Sequence, residues 1–247
     1  MQQIFGAVDT LLRGGFTRRA DLERGQFEIP GRTLILAGAI LGVSYGVFMG
    51  LFAALRGGQG AVAQLLSSMV KVPSLFLLTL IVTFPSLYVF SALSGSRLAF
   101  KDTLRLLLAA IALNLALLAS FGPVTGFFTL STESYPFMIL LNVGFFAISG
   151  AIGLGFIRKS LDVVFYADAS AEASPPAAAS SAALRPPHVP ARRVFRIWTL
   201  IYAIVGAQMG WVLRPFVGAP GEAFQLFRER HSNFFAAVLN ALGNLLS

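Results

Sequence analysis

The chain has 247 residues, 56% of them hydrophobic and only 12% charged, whereas a typical soluble domain is about 25% charged. Mean hydropathy is +0.74, and the net charge of +8 arises from Arg and Lys residues that flank apolar runs, a placement that serves membrane orientation and leaves nucleic acid a poor partner. With no cysteine, disulfides, thiol catalysis, C-x-x-C-H haem attachment and cysteine zinc sites are excluded.

Residues 1–32 read as a cytoplasmic amphipathic segment. Ile4, Val8, Leu11 and Leu12 recur at helical spacing over 1–12, and Gly14-Gly15 ends that short helix. No cleavable signal peptide is expected, because the first apolar run starts at residue 33 behind Asp9, Asp21, Glu23 and Glu28 and is too long for an h-region.

The first crossing, Thr33 to Leu55, is 23 residues without a charge, about 34 Å of helix. Within it Gly38, Gly42, Gly46 and Gly50 recur every four residues and so share one face. Such a ladder lets a second helix approach closely. Its partner is either a helix of this chain or a helix of another copy or subunit.

Ala61 to Lys71 reads as a short interfacial helix, followed by a second crossing from Pro73 to Leu93. Pro85 kinks that crossing, and Thr83 and Ser86 are candidates to satisfy the carbonyl it frees. Asp102 is placed to cap the third crossing, Thr103 to Phe121, whose apolar run continues past Gly122-Pro123 to Phe128 as a kinked or re-entrant end. Pro136 opens a fourth crossing that ends near Ile157. Its glycines at 144, 150, 153 and 155 make it the expected partner of the ladder, with Gly144 the packing residue. Ser160 to Tyr166 extends it as a surface turn.

Residues 33–166 thus form a four-helix membrane core. Residues 167–193 are rich in Ala, Ser and Pro and read as a disordered linker. Residues 194–247 carry a fifth crossing, Val194 to Leu213, and an outer-facing tail. Arg196 snorkels, and Trp198, Tyr202 and Trp211 serve as interfacial aromatics. The tail holds two short helices, 222–229 and 233–246, the second lying in the interface. Its polar residues Arg214, Arg228, Arg230 and His231 are the candidates for binding anionic lipid headgroups or a partner.

With the N-terminus inside, 14 of the 19 basic residues fall on the cytoplasmic side and 5 (Arg56, Lys71, Arg214, Arg228, Arg230) outside. The fold class is therefore all-α: an integral membrane bundle of about five transmembrane helices plus short interfacial helices, with its C-terminus outside. The Arg bias and the abundance of Ala, Gly and Leu fit a bacterial cytoplasmic membrane.

No acidic residue lies in a crossing, and Arg105 and Arg196 are the basic residues placed near the spans, both at ends. Proton-coupled transport is disfavoured on that pattern. Asn114, Asn142, Gln208, Ser44, Thr79 and Ser120 read as interhelical glue or as a substrate path. His188 and His231 are 43 positions apart, and neither a metal, a cofactor nor a catalytic constellation is indicated.

The runs VPSLFLLTLIVTFPSLYVFSALSGSRL and LLASFGPVTGFFTLSTESYPFMILLNVGFFAISG resemble bacterial multi-pass proteins grouped with the Yip-type (Ypt-interacting protein) family. The resemblance covers roughly residues 60–160 and implies a cytosolic N-terminus, about five crossings and a role in membrane organisation. The long Ala/Pro linker and the outer tail depart from that pattern, and no site residue carries over. The expected function is a non-enzymatic scaffold or complex subunit, in contact with the bilayer and with other membrane subunits or a second copy. A small-solute permease or channel component is the alternative.

Overall fold

The computed structural model describes residues 6, 8–10, 12–13, 29–57, 60–93, 100–172, 191–219, 222–227 and 232–246. Six helices are described from Gly31 onward: α1 Gly31–Arg56, α2 Ala61–Leu93, α3 Phe100–Ser131, α4 Tyr135–Glu172, α5 Ala191–Val212 and α6 Phe234–Leu246. The first four are long and apolar enough to cross a membrane, so the chain is a multi-pass helical membrane protein. Near the N-terminus, positions 8–10 are helical, and Arg13 Nε donates to Asp9 at 2.7 Å.

The glycine ladder fixes how α1 packs. A Cβ added at Gly42, Gly46 or Gly50 would lie 3.0 Å from Pro73 Cβ, 2.6 Å from Met69 Cα or 2.7 Å from Leu65 Cα. Steps of four rising along α1 match steps of four falling along α2, so the two helices run antiparallel in register. The lowest rung turns elsewhere: Gly38 meets Leu115 of α3 at 3.3 Å. The ladder's partners are therefore α2 and α3, not the fourth crossing. At Gly144, Gly150 and Gly155 a Cβ would meet nothing within 4 Å, while Gly153 faces Asn114 of α3. Four-residue spacing marks a close approach but is silent about which helix makes it.

Helix α3 is the central element, with 61% of its apolar window buried against 22% for α4. Phe48 of α1 packs its ring on Gly122, where a Cβ would lie 2.5 Å away, and α3 runs continuous through Pro123. The 122–128 stretch is thus regular helix and not a re-entrant end. Helix α3 starts at Phe100, which puts Asp102 inside the helix and not at its cap. At the start of α4 the cap is Ser134, its Oγ accepting from Phe137 N–H at 3.3 Å, which makes Pro136 the second helical residue and not the first. Helix α4 continues beyond the expected surface turn to Glu172, and α5 starts at Ala191, so the ends of the expected linker are helical. Linker residues 173–190, His188 included, lie outside the described residues.

Helix α2 differs most from expectation. It runs unbroken from Ala61 to Leu93 through both Pro73 and Pro85, so its first eleven residues are part of the crossing and not an interfacial helix. Pro85 frees the Ile81 carbonyl. The Thr83 and Ser86 hydroxyls donate elsewhere, to Thr79 O and Thr83 O, each at 2.7 Å.

Candidate functional site

Gln64, Ser68 and Lys71 stand at i, i+4 and i+7 on α2 and therefore share a face. All three are buried. Register places them in depth. Gly42 opposes Pro73 and Gly46 opposes Met69, so Lys71 lies level with the middle of α1. From there to Ala61 is about 15 Å of helix. Lys71 is thus a cation at mid-bundle. It overturns both its placement outside the membrane and the expectation that basic residues occur only near span ends.

The reason for the lysine is the manner in which α5 ends. Helix α5 runs antiparallel to α2. Trp198 Nε1 donates to Ser86 Oγ at 3.3 Å, and Gly206 and Gly210 face Thr79 and Leu75. Continuing that register, Val212 ends α5 near the level of Lys71, about half-way through the bundle. The chain then leaves the helix and rises through the other half as a non-helical strap, residues 213–218, with Leu213 and Val217 buried.

Non-helical backbone at that depth needs partners for its carbonyls, because lipid offers none. The polar face of α2 supplies them. Lys71 Nζ donates to Pro215 O at 3.0 Å and also to Leu226 O. Gln64 Nε2 donates to Pro215 O and Phe216 O at 3.2 and 3.1 Å, and Ser68 Oγ lies 2.5 Å from Phe216 O. From α4, the Tyr135 hydroxyl donates to Val217 O at 3.3 Å. Insertion of a lysine at the centre of a membrane helix costs about 2.5–3.5 kcal/mol. Hydrogen bonds to a charged group contribute about 1.5–3 kcal/mol each. Two such bonds offset the insertion cost, so a buried Lys71 is tolerated because the strap is there.

Side chains close the space around the strap. Phe216 packs on Phe146, with ring centroids 6.4 Å apart, and Phe146 in turn meets Tyr45 and Phe76 at 5.9 and 6.0 Å. Gly218 fits against Ala53 and Gln64, where a Cβ would lie 2.7 and 2.8 Å away, and Gly60 meets Phe224. At the same end of the bundle Arg56 donates to Thr132 O, sits 3.7 Å from Glu133 and covers the Phe52 ring at 4.4 Å.

The expected tail residues divide. Arg214 is half-buried with its guanidinium 3.5 Å over the Trp211 ring, a position inside the break and not on an outer collar. Arg228, Arg230 and His231 lie outside the described residues. Residues 222–227 are bends and irregular chain where a helix was expected, and α6 packs on α4 and α5. Trp198 and Tyr202 of α5 are buried, Trp198 against α2, whereas the half-buried Trp211 donates Nε1 to the exposed Ser232 O at 2.6 Å. Arg196 lies among the residues whose side chains are not described.

The two interior asparagines occupy separate places. Asn142 accepts from the Tyr45 hydroxyl and donates to Met138 O, both at 2.7 Å. Asn114 lies against Gly153, eleven residues or about 16 Å further along α4. Its Oδ1 occupies the space that a Cβ on Gly153 would need, across the α3–α4 seam. Among the described residues no group of three His, Asp or Glu is placed to hold a metal ion.

No family model matches this chain, and no curated protein or solved structure is significantly similar to it.

Proposed function

We propose that the chain is a non-enzymatic scaffold or subunit of a membrane complex, in a bacterial cytoplasmic membrane, with five crossings, its N-terminus inside and its C-terminus outside. The observation that carries this reading is the outward face of α4. That helix is the least buried of the four long ones, and Gly144, Ala147, Ala151 and Gly155 leave its outer side low, with open space beside both glycines. Small residues in such a row let a foreign helix approach at backbone distance. The partner is then another membrane subunit or a second copy, and the Yip-type resemblance, with its theme of membrane organisation, agrees with that role. Crosslinking in membranes followed by native purification is expected to recover a partner or homo-oligomer, and A151L to abolish it. A clean monomer with no co-purifying chain overturns the reading.

A permease or channel component is the second reading, favoured by Lys71 beside the interrupted α5. Solute flux into proteoliposomes that changes in K71M decides for it.

A further inference from the structure

We propose that the 213–218 strap is releasable as a unit and that Lys71 is its latch. Three observations carry this. First, the polar contacts of the strap run through its own backbone carbonyls, to side chains from a single face of α2 together with Tyr135. Such bonds break and re-form without any change in the helices that supply them. Second, Lys71 joins the two limbs of the tail. It holds Pro215 on the rising limb and Leu226 eleven residues later, with its ammonium 5.3 Å from the Phe227 ring. One side chain therefore closes the tail into a loop, and its removal frees both limbs together. Third, the closest helix-to-helix approach lies away from the strap, although Leu213 and Val217 join the common core. The nearest atoms to the α1 ladder glycines belong to α2 and α3, and Ala112, on the α3 side of that seam, is 1% exposed.

Release would uncover Gln64, Ser68, Lys71 and Tyr135, a row of hydrogen-bond donors running from mid-bundle to the α3–α4 turn. The closed strap fills that row with its own carbonyls, so the device governs whether a polar groove in the membrane interior is open. It stands independently of whether the protein acts as a scaffold or as a permease.

The test uses the full chain in reconstituted bilayers, where the native sequence contributes no thiol. A cysteine is placed at Val217, which is 4% exposed, and in a separate protein at Ala112. Reaction of each with N-ethylmaleimide is followed with Lys71 intact and with K71M or K71R. In K71M the cysteine of V217C is expected to react at least tenfold faster while that of A112C stays protected, and K71R is expected to restore slow labelling. Equal rates at position 217 with and without K71M would show that Lys71 is no latch. A parallel rise at positions 217 and 112 would show that it holds the whole bundle and not the strap, which also overturns the proposal.

Discussion

Gly46 and Gly144 occupy similar apolar helices, yet the space beside them differs completely. A methyl at Gly46 would lie 2.6 Å from both Met69 Cα and Ser68 O, main-chain atoms that cannot turn aside. A methyl at Gly144 meets nothing within 4 Å. G46A is therefore expected to destabilise the fold by about 1–3 kcal/mol or more, as overpacking does, and G46L to prevent assembly of α1 with α2. G144A should stay within about 0.5 kcal/mol of the parent. Thermal unfolding in one detergent, with the two variants side by side, checks both. Equal stability would mean that the close approach of α1 to α2 is absent from the protein in solution.

For whole helices, the segment from Ala61 to Lys71 separates two pictures of α2. A helix lying at the interface exchanges its amide hydrogens with nearby water, whereas the first third of a buried crossing does not. Hydrogen exchange in nanodiscs is expected to show amides 64–72 as protected as those of 75–83; fast exchange confined to 64–72 would return that segment to the surface. The sequence misleads here for a physical reason. A lysine after a run of apolar residues reads as the end of a membrane span, and what makes Lys71 tolerable inside the bilayer is a set of carbonyls about 150 positions away. The four long crossings were legible because a charge-free run of that length has few other uses. The ladder was legible as a surface of close approach, but its partners were not, since Gly153 and Gly122 receive a side chain where Gly46 and Gly50 receive a backbone. The break in α5 left almost no trace: Arg214-Pro215 resembles any helix end, and only the matched polar face at Gln64, Ser68 and Lys71 hints that something irregular lies beside α2.

For the molecule as a whole, orientation and the number of crossings decide which compartment the tail meets. Five crossings with the N-terminus inside place the α3–α4 turn outside the cytoplasm, and the Glu133 side chain there is 94% exposed. Since the chain has no native cysteine, E133C gives an unambiguous signal. It should react with an impermeant thiol reagent added to intact spheroplasts. Labelling that starts only after the membrane is opened would put that turn inside and reverse the proposed orientation.

The dependence of Lys71 on the strap also sets an order of events during synthesis. Lys71, the last residue of the polar face of α2 to be made, leaves the ribosome 144 residues ahead of Pro215, roughly 7–30 s earlier at ordinary elongation rates. Through that interval the polar face of α2 has no strap to bind, and the first eleven residues of α2 rest most cheaply at the membrane surface. Their entry into the bilayer is then expected to await residues 213–218. A chain that stops before residue 213 keeps this face exposed, and so carries in α2 its own mark of being unfinished.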